Sequence, residues 1–222
     1  MKICAVVTGK NLKEFLANLK IAQRQADWVE LRADYINSFS ADSIPTIKKT
    51  LKAKAIFTCR KKTEGGKFQG AEVDRIKILK AAVKTGFNFI DIEFSTISKL
   101  NFSLAQKKKI ICSYHDFKKT PSLKSLGQIY GKMNKTRAGV IKIVTMCSSE
   151  KDSDNLLNLL AQKEKNEKII VLGMGEKGKI TRLFSPLLGG FLTFASIDKK
   201  TAPGQMTVKE LKKIYRDMGI NS

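Results

Sequence analysis

Short apolar runs alternate with longer amphipathic stretches along the whole chain. The runs ICAVVT, DWVELRA, AKAIFTCR, NFIDIEF, KIICSYH, GVIKIVT, KIIVLGMG and GFLTFAS are nearly continuous in apolar character. Such runs predict strands of a parallel sheet buried on both faces, not one-sided hairpins. Between them lie segments with helical spacing, such as NLKEFLANLKIAQRQ, AEVDRIKILKAAVKTG and SDNLLNLLAQKEK. Asn11 with Glu14 and Thr207 with Glu210 have the cap-x-x-Glu spacing that opens a helix. Eight strand–helix units in 222 residues predict a closed (β/α)8 TIM barrel, one domain over residues 1–222. The fourth helix, around Ile97 to Gln106, has the weakest pattern, and no linker or charge block marks a second domain.

Composition narrows the class. A hydrophobic content of 42% is enough for a substantial core. No apolar run approaches the roughly 18 residues that span a bilayer, and the N-terminal MKICAVVTGK is too short in apolar character for a secretory signal, so a cytoplasmic protein with no membrane partner is expected. Cys4, Cys59, Cys112 and Cys147 form no C-x-x-C pair and each lies in or just beyond a strand-like run, which reads as buried reduced thiols. Lys and Arg outnumber Asp and Glu by 42 to 20, a formal net charge of +22. That excess favours anionic partners. The lysines, however, fall on the polar faces of the helical segments, and no zinc-finger, RNA-recognition or K-homology signature accompanies them. A solvated basic surface and a small anionic ligand are expected, and no nucleic acid.

Charge appears where the strands should be apolar. Five consecutive runs carry ionisable residues at or near their C-terminal ends: Glu30 and Arg32, Arg60, Asp91 and Glu93, His115, and Lys142. Burying an unpartnered charge costs several kcal/mol, so these groups must face a shared polar pocket. In a parallel barrel the strand C-termini converge on one mouth, where active sites form. His115 is the only histidine in the chain, which excludes a His-rich metal site and leaves one side chain with an unperturbed pKa near neutrality. Lys142 is flanked by β-branched residues in GVIKIVT. Burial and the guanidinium groups of Arg32 and Arg60 would both disfavour an ammonium ion, and an amine nucleophile needs that. A lysine, a histidine and arginines at one mouth suit imine formation with a carbonyl substrate bearing an anion, and a structural salt-bridge network is the alternative.

Two Gly-containing loops, Lys61 to Gly70 and Ile197 to Gln205, have the composition of lids. GMGEKG, Gly173 to Gly178, fits a dinucleotide-binding pattern, with Asp198 at a suitable distance beyond. Its place after six strand–helix units, with one strand to come, argues instead for a tight barrel loop whose amides, with Arg182, favour an anion.

As an ordered set these segments resemble the type I 3-dehydroquinate dehydratases of the shikimate pathway. The matching pieces are ELRAD, TCR with EGG, DIE, SYHDF followed by TP, KIVT, GMGEKGKITR, LTFAS and APGQ, spread over nearly the whole chain. The resemblance implies a (β/α)8 barrel, usually a homodimer, that dehydrates 3-dehydroquinate to 3-dehydroshikimate without metal or added cofactor. It implies an imine between Lys142 and the C3 ketone, with His115 as general acid and base and Glu64 holding its imidazole. It implies further that Arg182 and Gln205 grip the substrate carboxylate and that Glu30, Arg32 and Arg60 contact hydroxyls or order the pocket. Thr201 stands where the family commonly has serine before APGQ, and it keeps the hydroxyl expected at the substrate. The family's short N-terminal hairpin under the barrel has little or no counterpart, since the first strand begins almost at Met1. Two other readings compete. A class I aldolase would share the lysine without needing the EGG, His and APGQ set. A basic nucleic-acid-binding protein would show binding to generic DNA that falls steeply with salt.

Overall fold

The computed structural model describes residues 1–198 and 202–220. Eight strands form: β1 (Ile3–Val7), β2 (Trp28–Arg32), β3 (Lys54–Thr58), β4 (Phe89–Glu93), β5 (Ile110–Asp116), β6 (Val140–Met146), β7 (Ile169–Met174) and β8 (Thr193–Ser196). All the pairings are parallel; β2 to β7 each pair with the strand before them, and β8 pairs with β1. Between β7 and β8 the Phe191 N–H donates to the Ile169 carbonyl at 2.7 Å, which draws the last edge together. The result is a nearly closed (β/α)8 barrel, as the alternating pattern predicts.

The helices are α1 (Leu12–Gln25), α2 (Ile44–Thr50), α3 (Glu72–Thr85), α4 (Phe94–Ile97), α5 (Leu104–Lys107), α6 (Leu123–Asn134), α7 (Glu150–Leu159), α8 (Lys179–Phe184) and α9 (Val208–Asp217). The segment with the weakest helical pattern is two single turns, α4 and α5, and not one helix. Ser103 restarts the second turn through a capping box with Gln106. At Thr207 the predicted box closes in both directions, whereas at Asn11 the Glu14 carboxylate takes the Lys10 N–H, one residue early.

Strand alternation sorts the core into two layers. Residues facing outward, such as Val29, Leu31, Ile90, Ile92 and Ile143, pack under the helices. Residues facing inward begin apolar at the barrel floor and turn polar toward the mouth: Trp28 then Glu30, Phe89 then Asp91, Ile111 then Ser113, Val140 then Lys142. Trp28, Phe89 and Phe191 fill the floor with ring centroids 5.9, 5.8 and 5.6 Å apart. Lys2, Lys54 and Lys168 lie over those rings, within cation–π range. These side chains occupy the end of the barrel at which the resemblance implies a hairpin. The four cysteines are free and buried, as expected. No helix among the described residues is long and apolar enough to cross a membrane.

Candidate active site

The polar ends of β2 to β6 converge on one pocket at the C-terminal mouth. Glu30, Arg32, Arg60, Glu64, His115 and Lys142 line it from one side, and Arg182 and Gln205 from the other. Val144, Leu172, Met174 and Phe194 supply its apolar wall. The side chains of residues 115 and 142 thus face a common cavity. Thr201 lies outside the described residues.

Lys142 is 5% exposed, near the middle of β6. Its Nζ sits 3.1 Å from Asp91 Oδ2 and 3.4 Å from Glu30 Oε1, and 4.1 Å from the centre of the Phe194 ring. This differs from the sequence expectation, which placed guanidinium groups beside the amine. Alternation brings Glu30 and Asp91 inward at the level of Lys142, so carboxylates meet it first. Arg32 is turned away into a bidentate pair with Asp34, at 2.9 and 2.8 Å, over the Tyr35 ring. Arg60 reaches the amine only through Asp91, whose Oδ2 accepts from Arg60 Nη2 at 2.7 Å.

Asp91 and its partners form a rigid mount. Ser113 Oγ donates to Asp91 Oδ1 at 2.6 Å and accepts from Arg60 Nη1 at 2.7 Å. Burial alone would push the Asp91 carboxyl up, but Arg60 and Lys142, helped by the Ser113 hydroxyl, hold it well below the usual carboxylate range. Thr58 Oγ1 donates to Glu30 at 3.0 Å, fixing the other partner of the lysine.

His115 turns Nδ1 toward Glu64 Oε2, 3.4 Å away. Neither atom has a closer hydrogen-bond partner among the described residues, and the contact is longer than a good hydrogen bond. Such contacts tighten when substrate arrives. Phe117 stacks beside the imidazole, with ring centroids 6.5 Å apart. It also packs where a Cβ on Gly65 would stand, 2.2 Å from the Phe117 ring, and Gly65 has φ +77°. Glycine at this point of EGG therefore serves both the turn and the packing. Burial first, then Arg60 and Lys142, push the imidazole down to about 3, against the raising effect of Glu64 and Asp91. It is neutral at neutral pH, as a base must be.

A depressed histidine makes stability depend on pH. The unfolded chain, at about 6.5, binds a proton that the folded chain refuses until about 3. This contribution is therefore complete above about pH 6.5 and is lost as pH falls toward 3. Denaturant titrations should show the wild type losing about 2 kcal/mol more than His115→Gln between pH 7 and pH 5. Equal losses would contradict a neutral buried imidazole.

Arg182, on α8, is 2% exposed, and among the described residues it has no ion pair; its Nε has no hydrogen-bond partner. Burial lowers its pKa to about 10, the thiol of Cys147 opposing. A buried guanidinium without a carboxylate is costly, and a carboxylate ligand in the pocket would complete it. Two amides of the GMGEKG loop are already used: the Gly173 N–H donates to Thr181 Oγ1 at 2.7 Å and the Gly175 N–H to the Pro203 carbonyl at 3.3 Å. A Cβ on Gly173 would stand 2.7 Å from Gly178 Cα, so these glycines pack on each other. The motif closes the loop against Ala202–Gln205, where Gln205 is 2% exposed. Among the described residues no cluster of His, Cys, Asp or Glu has the arrangement of a metal site.

Sequence reasoning did not single out Ser113, Thr58, Phe117 or Arg75. Ser113 was accessible from its spacing, two residues before His115 and hence on the same face of β5.

The chain matches the family model described as Type I 3-dehydroquinase over residues 3–222. A 3-dehydroquinate dehydratase of Coxiella burnetii is 42% identical over 216 residues, covering 97% of this chain and 92% of that protein. One from Methanococcus maripaludis is 38% identical over 218 residues, covering 96% and 97%. The crystal structure of 3-dehydroquinate dehydratase from Geobacillus kaustophilus aligns with a TM-score of 0.87 at 24% identity, covering 98% of this chain and 91% of that one. At that identity the likeness speaks for the fold.

Proposed function

The chain belongs to the type I 3-dehydroquinase family, hydro-lyases that convert 3-dehydroquinate to 3-dehydroshikimate through a Schiff base, and from that premise we propose that Lys142, His115 and Glu64 carry the chemistry. Lys142 Nζ, once it has given up its proton, adds to the C3 ketone, and loss of water gives the iminium. The positive nitrogen draws electrons from the adjacent C2–H bond. With Nδ1 turned to Glu64, Nε2 of His115 takes the C2 proton, and the electron pair moves into the enamine. The same imidazolium protonates the departing C1 hydroxyl, which leaves as water while the enamine electrons form the C1–C2 double bond. Hydrolysis of the product iminium returns the amine. Glu64 supports the transient imidazolium. The substrate carboxylate, brought in by Arg182 and Gln205, raises the imidazole from its low resting value toward the working range. Glu30, Arg32, Arg60 and the hydroxyl of Thr201 complete the substrate contacts in this reading.

The observation that carries this reading is the shared cavity, with an amine on one wall, a neutral imidazole on the next and, opposite, a guanidinium that has no ion pair among the described residues. The test is borohydride reduction in the presence of 3-dehydroquinate, followed by peptide mass spectrometry. One adduct, on Lys142, is expected; an adduct on another lysine, or none, would overturn it. A class I aldolase reading would trap other carbonyl substrates on the same lysine and not this one.

Arg182→Met separates binding from chemistry. Removing the carboxylate's partner should raise KM about 100-fold with kcat changed far less. It should also leave Tm unchanged or raised, because an unpaired buried charge is replaced by an apolar side chain of similar volume. A lowered kcat at unchanged KM would assign Arg182 elsewhere.

The remaining parts of the proposal concern setting. A homodimer would cover the exposed apolar residues Ile180, Phe184, Leu187 and Leu188 on α8 and just beyond it. Free, buried thiols suit a reducing cytoplasm. The lysine excess, spread over the helices, suits a solvated surface and attraction of an anionic substrate, with no nucleic-acid partner.

A further inference from the structure

Behind the pocket lies a second tier of charge that no step above uses. Arg75, on α3, has a side chain with no exposed surface and does not line the pocket. Its neighbours on the same face, Ile78, Leu79, Ala82 and Val83, are apolar and pack α3 onto the barrel. An apolar residue would serve that packing without the desolvation that a buried arginine incurs. The guanidinium is instead fully engaged. Nε and Nη2 donate to the two carboxylate oxygens of Glu72, both at 2.7 Å, and Nη2 also donates to Thr96 Oγ1 at 3.0 Å. Nη1 donates to the Cys59 carbonyl at 2.7 Å and to Glu93 Oε2 at 2.8 Å.

Glu93 passes the constraint inward on two arms. Its Oε1 pairs with Arg60 Nη1 at 3.2 Å, and Arg60 clamps Asp91, which holds the Lys142 amine. The same Oε1 accepts from the Lys61 N–H at 3.2 Å, at the root of the loop that carries Glu64 to His115. The Cys59 carbonyl, one residue before Arg60, fixes that root from the other side. Signs alternate without a break from helix to amine: Arg75, Glu93, Arg60, Asp91, Lys142.

We propose that Arg75, acting through Glu93, is a positioning residue that sets the nucleophile and the histidine arm in register from outside the pocket. The inference rests on the reading of Lys142 and His115 given above. Loss of Arg75 frees Glu93 to swing toward Arg60 alone, which displaces Asp91 from the lysine and loosens the Lys61–Glu64 loop. Misplacement of reacting groups by about 1 Å can cost about 100-fold in rate without contact with substrate.

The experiment compares wild type, Arg75→Met, Arg75→Lys and Glu72→Gln in steady-state kinetics, together with the rate of borohydride-trapped adduct formation on Lys142. Arg75→Met should lower kcat by about 10- to 100-fold with KM within about 3-fold, and should slow trapping as well as turnover. Arg75→Lys, which can reach Glu93 but not span both carboxylates, should recover part of the loss. Glu72→Gln loosens Arg75 from the solvent side without emptying the buried site, and a loss of about 3-fold or more in kcat is expected from it. A folded Arg75→Met with wild-type kcat overturns the inference. If Arg75→Met does not fold, wild-type kcat in both Arg75→Lys and Glu72→Gln overturns it equally. A purely structural arginine would lower Tm while each folded molecule kept wild-type kcat and trapping rate. Failure of wild type itself to give an adduct on Lys142 would overturn the reading of the site; a trapped wild type beside unaffected variants would overturn this inference alone.

Discussion

Lys142→Ala abolishes turnover, with a loss of at least about 1,000-fold expected in kcat and no borohydride adduct at any concentration of 3-dehydroquinate. The size of the effect follows from the chemistry. Without the iminium, the C2 proton must leave against an unassisted ketone, and none of the remaining groups supplies an equivalent electron sink at C3. Arg60, a cation on the pocket wall, is bound to Asp91 and Glu93 and cannot move to the ketone without breaking both. The fold should tolerate the change. Asp91 keeps Arg60 and Ser113, and Glu30 keeps Thr58, so neither carboxylate is stranded. The check is activity and adduct mass on protein whose circular dichroism and cooperative unfolding match the wild type. Retained turnover in such protein would remove the nucleophile from the mechanism.

His115→Ala should stop the reaction one step later. The lysine arm is held by ion pairs with Asp91 and Glu30 that do not run through the imidazole, so imine formation should survive. Proton transfer from C2 and to the C1 hydroxyl should not. General acid–base groups contribute about 100- to 10,000-fold, and here one group does both transfers, so a loss toward the upper end is expected. The signature is accumulation: intact-mass spectrometry without reductant should show protein carrying the substrate iminium, which wild type turns over. Glu64→Gln should show a weaker form of the same defect, because a neutral amide supports the imidazolium less well than a carboxylate. A His115→Ala protein with wild-type rates, or with no imine at all, would give the histidine a different role.

These two outcomes concern residues that strand periodicity made visible. Glu30, Arg60, Asp91, His115 and Lys142 stand out because each interrupts an otherwise apolar run at its C-terminal end, and a parallel barrel gathers those ends. Their immediate partners were not visible. Nothing in the local sequence says that Asp91 and Glu30, and not Arg32 and Arg60, meet the lysine; that depends on the register across β2, β4 and β6. Arg32 lies two residues from Glu30 on the same strand face, yet Asp34 draws it aside. GMGEKG was legible as a loop, whereas the spending of two of its amides on Thr181 and Pro203 needed coordinates. Arg75 was hidden for the opposite reason: an arginine in a helix usually reaches solvent, and only packing against Glu93 and Thr96 reveals one that does not.

What the sequence by itself determined is the alternation of strand and helix, the eightfold barrel, and the side of it on which charge would collect. Those properties follow from hydrophobic period and chain direction, which are local. What the tertiary structure alone decided is which charge faces which: the carboxylate pair on Lys142, the depressed imidazole of His115, the guanidinium of Arg182 with no ion pair among the described residues, and the buried relay to Arg75. Electrostatic environment depends on distances across the barrel between residues far apart in the chain, and burial magnifies each of those distances into chemistry.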